Sequence, residues 1–323
     1  MASLEDVSVG GPGAARQRWG HAAGNLARLL ALVLCVFTLF LVRWDAPLIV
    51  CAGLVALSLT TLYAVDRRRA GIGVWIAYVL GFVLFALLRT VTDNAGFPVR
   101  AHYAVAADEW LFGGTLPQHW LQQRLYHAGS TSVLEVACVT VIFSYYVVPH
   151  LVALGLWRRK NGEFARYALA VLIAVYAGLL VSLFLPTAPP WLASDYTSAP
   201  HITRIEAAFL NWNPESIGPG PDNGVNPVAA MPSLHLAVTS LIVVALWSRR
   251  RLRFVALAYA SAMAFSLVFM GEHYVVDLLA GIATAAFAWV AASAIVRARA
   301  ARREPIPATE PASAYEAARA TAR

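Results

Sequence analysis

Eight long apolar stretches constrain this chain more than any other feature of its sequence. A helix needs about 20 apolar residues to cross the hydrocarbon core of a bilayer, and eight segments reach or approach that length. Only 13% of the residues are charged, against about 25% in soluble domains. The sequence therefore predicts an all-α fold, a polytopic bundle of about eight transmembrane helices. The predicted spans are residues 25–42, 47–65, 72–91, 133–157, 167–185, 232–247, 254–270 and 274–296, of which the sixth and seventh are short.

Basic residues recur in every second connection between these stretches. The positive-inside rule places such connections in the cytoplasm, so both termini are predicted to be cytoplasmic in a multi-pass protein of the cell membrane. The same clustering accounts for the net charge of +7 without nucleic-acid binding. The basic groups are Arg16 and Arg18, Arg67 to Arg69, Arg158 to Lys160, Arg249 to Arg253, and Arg297 to Arg303.

Two long connections, residues 92–132 and 186–231, are both predicted to lie on the outer side. Within the first, residues 108–126 include Trp110 and Trp120, which favour a short amphipathic helix lying in the membrane interface. The second connection is rich in Pro, Gly and Asn and is typical of an ordered loop.

A first segment with chemical potential begins the sixth span. Pro232 suits the first turn of a helix, because its missing N–H would be unpaired there in any case. The N–H groups of Ser233 and Leu234 are then expected to be free and to point outward, with His235 in the same turn. A helix N-terminus with free N–H groups and a hydroxyl is an anion-binding site.

A second such segment begins the eighth span, where His273 and Asp277 are four residues apart and are expected to share one helical face. A carboxylate in that position can accept the imidazole N–H, fix the tautomer and leave the other ring nitrogen nucleophilic. Both segments are predicted at the outer face, because the sixth and eighth spans both run inward. Alternatively, His235 is an ordinary interfacial residue and Asp277 a structural partner, although an intramembrane carboxylate is costly and usually functional.

The Pro-Ser-x-His segment from Pro232 to His235 and the His-x-x-x-Asp segment from His273 to Asp277 resemble the type 2 phosphatidic acid phosphatase superfamily. More narrowly, the chain resembles the inositol-phosphotransferase branch, which includes inositol phosphorylceramide synthases. The resemblance implies that His273 is the nucleophile and forms a phosphohistidine. It also implies that Asp277 orients His273 and that His235 is the acid that protonates the leaving oxygen.

The chain departs from the phosphatase members in its basic residues. The Lys-x6-Arg-Pro segment of those members is absent, and Leu267 occupies the position of an Arg that they carry. A phosphoryl-transfer site needs positive charge around its equatorial oxygens, so Arg89 is the predicted phosphate-binding cation, together with Ser233. Arg89 could instead be a snorkelling interfacial residue. The outer-side alternatives to Arg89 are Arg100, Arg124 and Arg204.

The resemblance divides the chain into four parts. Residues 1–24 are interpreted as a cytoplasmic N-terminal segment, and residues 25–66 as two spans added to the family's six-helix core. Residues 67–297 form the predicted six-span catalytic core, and residues 298–323 a disordered cytoplasmic tail. The high Ala and Arg content is typical of a GC-rich bacterial genome.

The sequence thus predicts an enzyme that moves a phosphoryl or phospho-headgroup, including phosphoinositol, from a phospholipid or polyprenyl phosphate to an alcohol or water. The alternatives are a lipid or polyprenyl diphosphate phosphatase and, outside enzymes, a transporter or flippase. Transporters often have paired repeats and broken spans, which the sequence lacks. No metal or cofactor is predicted, because no Asp-rich cluster is present and the three cysteines lie inside apolar stretches.

Overall fold

The computed structural model describes residues 72–89, 97–159, 162–209 and 228–302. The predicted spans 25–42 and 47–65, and the predicted tail beyond residue 302, lie outside these residues. Within the described ranges every regular element is helical, as the all-α prediction requires, and no β-strand occurs. The helices are α1 (Ile72–Arg89), α2 (His102–Leu111), α3 (Pro117–Leu125), α4 (Val133–Ser144), α5 (Val148–Trp157), α6 (Glu163–Phe184), a 3-10 helix (Pro190–Asp195), α7 (Ile205–Phe209), α8 (Leu234–Leu246), α9 (Arg250–Phe269) and α10 (Val275–Ala301).

Three of these helices, α6, α9 and α10, are long and apolar enough to cross a membrane. The pair α4 and α5, bent by 46° at the break between them, would form a fourth span. Helices α1 and α8 are also apolar but shorter. The 13 residues of α8 extend for about 20 Å, which agrees with the short sixth span, whereas α9, the predicted short seventh span, has 20 residues.

Helix α6 lies at the centre of the bundle, where it packs against α1, α5, α8 and α10. Small residues at these contacts let the helix backbones approach closely, as is common in membrane bundles. At Gly281 of α10, a β-carbon would lie 2.4 Å from the carbonyl oxygen of Ser233, the residue before α8. A side chain at this position would therefore push α10 away from the start of α8.

The outer connection that was predicted to hold a single amphipathic helix contains two helices. Helices α2 and α3 are joined by a turn in which Gly113 and Gly114 both have positive φ, a conformation that glycine adopts without steric cost. This pair is called the outer hairpin below. One of its surfaces exposes Trp110 and Trp120, while its opposite surface packs against α9 and α10.

Two predicted helix boundaries differ from the observed ones. Helix α8 begins at Leu234 with Ser233 as its N-cap, so Pro232 precedes the helix and does not occupy its first turn. Helix α10 continues to Ala301, past residue 296, the predicted end of the eighth span. Residue-level boundaries depend on capping hydrogen bonds formed in the fold, which the hydropathy pattern does not report.

The ends of four helices meet at one end of the bundle. Arg89 ends α1, Ser182 lies in the last turn of α6, His235 is in the first turn of α8, and His273 immediately precedes α10. At the opposite end, Gly73, Ala165 and Arg299 of α1, α6 and α10 line a shared groove. The two histidine segments, 38 residues apart in sequence, therefore lie at the same end of the bundle.

Candidate active site

A small cavity at this end of the bundle brings together the predicted histidines and the predicted cation. The residues that line it come from α1, the break between α4 and α5, α6, the segment before α8, α8 itself, and the loop before α10. They are Phe85, Arg89, Tyr145, Leu179, Ser182, Ala229, Leu234, His235 and His273.

The two imidazoles approach each other across this cavity. The ring centroids of His235 and His273 are 5.8 Å apart, with an angle of 67° between the ring planes. His273 is only 6% exposed, so a substrate must reach it through the cavity. At this separation the two rings are in edge contact, and both line the same cavity, so a phosphate bound in the cavity would lie beside both imidazoles.

Asp277 contacts His273 as the spacing predicted, but through a different local geometry. The Nδ1 atom of His273 lies 3.4 Å from Oδ2 of Asp277, and the same oxygen accepts the Tyr274 N–H at 3.0 Å. His273 precedes α10, so the two residues do not share a helical face. Instead, Asp277 is at the third position of the helix, and its side chain bends back to cap the N-terminus. This arrangement leaves Nε2 as the ring nitrogen of His273 that Asp277 does not engage.

The N-terminus of α8 differs from the prediction in one respect. The N–H of Ser233 was expected to be free, but it donates to the carbonyl oxygen of Asp277 at 3.0 Å. The Ser233 hydroxyl accepts the Leu236 N–H at 3.4 Å. The helix itself offers no acceptor to the N–H groups of Leu234 and His235, and both residues line the cavity. The positive end of α8 is thus directed at the same space as the two histidines.

Arg89 and the three alternative phosphate-binding cations lie in different environments. Arg204 forms an ion pair with Glu272, with 2.7 Å between Nε and Oε1. Arg124 stacks on the Trp120 ring, and Arg100 is exposed. Among the four candidates, Arg89 lines the cavity.

A second carboxylate lies near the Arg204–Glu272 ion pair. Burial and the neighbouring Glu272 carboxylate raise the pKa of Glu206 to about 8, although Arg204 acts in the opposite direction. Glu206 is therefore largely protonated at neutral pH, and Glu272 carries the negative charge that neutralises Arg204. This pairing holds the residue next to His273 in place and leaves little of the Arg204 charge for a substrate.

Three residues near the site were not singled out in the sequence. The Tyr145 ring is 4.5 Å from the His235 ring, centroid to centroid, and the Ser182 hydroxyl donates to the Met231 carbonyl at 3.2 Å. Asp108, in the outer hairpin, is completely buried against the start of α10. Tyr145 and Ser182 lie within apolar stretches with no distinguishing spacing. The single available signal for Asp108 was a carboxylate among the apolar residues of an interfacial segment.

Comparisons with known proteins agree with the motifs. The sequence profile of the PAP2 superfamily matches residues 102–291, which include both histidine segments. The chain is 30% identical over 154 residues to a protein named phosphoinositol dihydroceramide synthase, from Bacteroides thetaiotaomicron. That alignment covers 44% of this chain and 50% of the relative, so the chain spans about half the length of the curated protein it matches. No solved structure matches the chain.

Proposed function

Since this chain belongs to the PAP2 superfamily, we propose that it is a membrane enzyme that transfers a phosphoryl or phospho-headgroup from a lipid to an acceptor through a phosphohistidine. The observation that carries this proposal is the meeting of four features at one cavity. These are two imidazoles, a buried carboxylate on one of them, a guanidinium, and a helix N-terminus.

In the first step, Nε2 of His273 attacks the phosphorus while Asp277 accepts the N–H on Nδ1. The bond between phosphorus and the lipid oxygen breaks, and protonated His235 gives its proton to that oxygen. In the second step, an acceptor hydroxyl loses its proton to His235 and attacks the phosphorus, and the P–N bond breaks. The first step leaves His235 neutral and the second returns its proton, so the two steps together restore the starting protonation states and require no group outside the site and the two substrates.

Positive charge must balance the phosphate oxygens during both steps. Arg89 would supply a guanidinium from α1, and the N–H groups of Leu234 and His235 would donate from the start of α8. The Ser233 hydroxyl remains a proposed donor to the phosphate, although its oxygen caps α8. These donors come from two helices, which would fix the orientation of the phosphate between the imidazoles.

A phospholipid donor with a phosphoinositol headgroup is the favoured substrate in this proposal, because the similar protein from Bacteroides thetaiotaomicron is named a phosphoinositol dihydroceramide synthase. Water as the acceptor would make the same site a lipid or polyprenyl diphosphate phosphatase. The alternating Arg clusters support an orientation in which the cavity opens on the extracytoplasmic side and both termini are cytoplasmic.

The direct test is an assay of purified full-length protein in bilayer nanodiscs with phosphatidylinositol labelled in the headgroup. We expect release of diacylglycerol, and transfer of the labelled headgroup to an added ceramide or other lipid alcohol. This activity should be unchanged in EDTA, because the proposed chemistry uses histidine and no metal. Release of free phosphate instead of headgroup transfer would identify a phosphatase. Movement of intact lipid between leaflets without any product would support a flippase and contradict the proposal.

Arg89 offers a second test within the cavity. Arg89→Ala is expected to lower kcat/KM by about 100-fold or more, because a transition-state oxyanion loses a charged partner. Arg89→Lys should recover part of this loss, because the lysine ammonium keeps the positive charge but lacks the planar, two-pronged hydrogen-bonding geometry of the guanidinium. Arg100→Ala, an exposed arginine that does not line the cavity, is the matched control and should leave the kinetics unchanged. Equal kinetics for Arg89→Ala and Arg100→Ala would show that Arg89 is an interfacial residue.

A further inference from the structure

Asp108 of the outer hairpin is held against the loop that carries His273, although 165 residues separate them in sequence. Its Oδ2 atom accepts the N–H of Val275 at 2.9 Å, and its Oδ1 atom accepts the N–H of Val276 at 2.9 Å. Asp108 is 0% exposed, so no water competes for these bonds. A carboxylate that accepts the first N–H groups of a helix is also favoured by the helix dipole.

Gln118, from the other helix of the hairpin, completes this contact. Its Nε2 group donates to Oδ2 of Asp108 at 2.9 Å and to the carbonyl oxygen of His273 at 3.0 Å. Gln118 is also fully buried. A single amide therefore ties the backbone of His273 to the carboxylate that caps α10.

The first three N–H groups at the start of α10 are thus all bound to carboxylates. Tyr274 donates to Asp277, while Val275 and Val276 donate to Asp108. With these three donors occupied, none of them is open to a phosphate, in contrast to the N–H groups of Leu234 and His235 at the N-terminus of α8. The role of this end of α10 is to hold His273, and Asp108 provides two of its three capping bonds.

The loop that carries His273 begins with a sharp turn at Gly271. Gly271 has φ of +80°, and a β-carbon there would lie 2.9 Å from the Thr203 carbonyl oxygen. The chain turns sharply at this residue, between the end of α9 and His273. The turn leaves two residues, Glu272 and His273, before the N-cap, and neither is part of a helix.

We propose that Asp108 and Gln118 are positioning residues, which set the place of the His273 imidazole relative to Asp277 and His235. They act through the backbone of the loop and do not contact the cavity. The expected effect on kcat rests on the proposed function, whereas the expected effect on the order of the loop around His273 does not. An error of about 1 Å in a reacting group can cost on the order of 100-fold in rate, so the contact would control catalysis from outside the site.

The test compares Asp108→Asn and Gln118→Leu with the wild-type full chain in nanodiscs. Asparagine keeps the shape of Asp108 but presents an NH2 group to one of the two backbone N–H donors. Amide hydrogen exchange should increase in peptides covering residues 271–278 and stay unchanged in α6. With labelled phosphatidylinositol as the probe, kcat should fall by about 30- to 100-fold while KM stays within about threefold.

Tyr78→Phe is the matched control for loss of a buried hydrogen bond. The Tyr78 hydroxyl is 2.9 Å from Nδ1 of His150, and Tyr78 lies 11 residues before Arg89 on α1, about 16 Å along the helix. Tyr78→Phe should lower the thermal stability, while amide hydrogen exchange at residues 271–278 and kcat should stay as in the wild type.

The possible outcomes separate the two proposals. Unchanged exchange at residues 271–278 in both Asp108→Asn and Gln118→Leu would overturn the positioning role. A kcat no lower than that of Tyr78→Phe at matched stability would overturn it as well. If the wild type has no activity on any lipid, the proposed function fails, while the exchange measurement still decides whether the hairpin holds the loop. If Asp108→Asn does not fold, Gln118→Leu provides the same two readouts.

Discussion

Replacing His273 with alanine is expected to lower kcat for headgroup transfer by on the order of 10³-fold or more, as the loss of a covalent nucleophile does. The reason is geometric as well as chemical. His273 is 6% exposed and lines the cavity beside His235, with 5.8 Å between the ring centroids, so its removal takes the nucleophile away from the place where the phosphate would bind. Thermal unfolding should change little, since the hydrogen bonds that hold the loop involve its backbone.

The intermediate provides the sharper measurement. Wild-type protein quenched during turnover of a substrate carrying radioactive phosphorus should retain label that is stable in alkali and released in mild acid, the behaviour of a phosphoramidate. His273→Ala should retain none. Asp277→Asn should form the same intermediate more slowly, because the imidazole keeps its nucleophilic nitrogen but loses the carboxylate that orients it.

His201→Ala is the matched histidine control, because His201 is exposed and does not line the cavity. It should label and turn over like the wild type. Full activity of His273→Ala, or alkali-stable label in that variant, would assign the nucleophile to another residue.

The sequence predicted the members of the site better than their local geometry. His235, His273 and Asp277 were selected by motif and by the direction of their spans, and the structure places them together. The spacing of four between His273 and Asp277 predicted their contact, but for the wrong reason. A shared helical face and an N-terminal capping turn both bring such residues within reach, and hydropathy does not distinguish them.

Long-range contacts explain what the sequence could not predict. The N–H of Ser233 was expected to be free, and its actual acceptor, the carbonyl of Asp277, is 44 residues away and meets it because Gly281 lets α10 approach α8. Asp108 pairs with backbone groups more than 160 residues away. A single sequence reveals neither partner, because every residue except proline has a backbone N–H, and its type does not indicate what that N–H binds. Arg89, by contrast, was predicted from a general need for positive charge near phosphate, and it lines the cavity.

His235→Ala is expected to show a defect that depends on the leaving group. For a lipid phosphate, the departing alkoxide needs a proton, so loss of the general acid should slow bond cleavage by about 10²- to 10⁴-fold. For an aryl phosphate analogue such as a lipid nitrophenyl phosphodiester, the phenolate leaves without a proton, and cleavage should slow by less than about tenfold. In the native protein the ring of Tyr145 packs beside that of His235, with 4.5 Å between the centroids.

The second step distinguishes the role of His235 from a general loss of binding. An acceptor hydroxyl needs a base to attack the phosphohistidine, so His235→Ala should release about one nitrophenolate per protein in a burst and then turn over slowly. The phosphoenzyme should accumulate during the slow phase, whereas His273→Ala should give neither burst nor label. Equal losses for the lipid and aryl substrates, with no burst, would mean that His235 shapes the cavity and transfers no proton. A burst confined to His235→Ala would instead show that His273 forms the covalent bond in the first step and that His235 is needed in the second, at a phosphorus bound in the cavity that both imidazoles line.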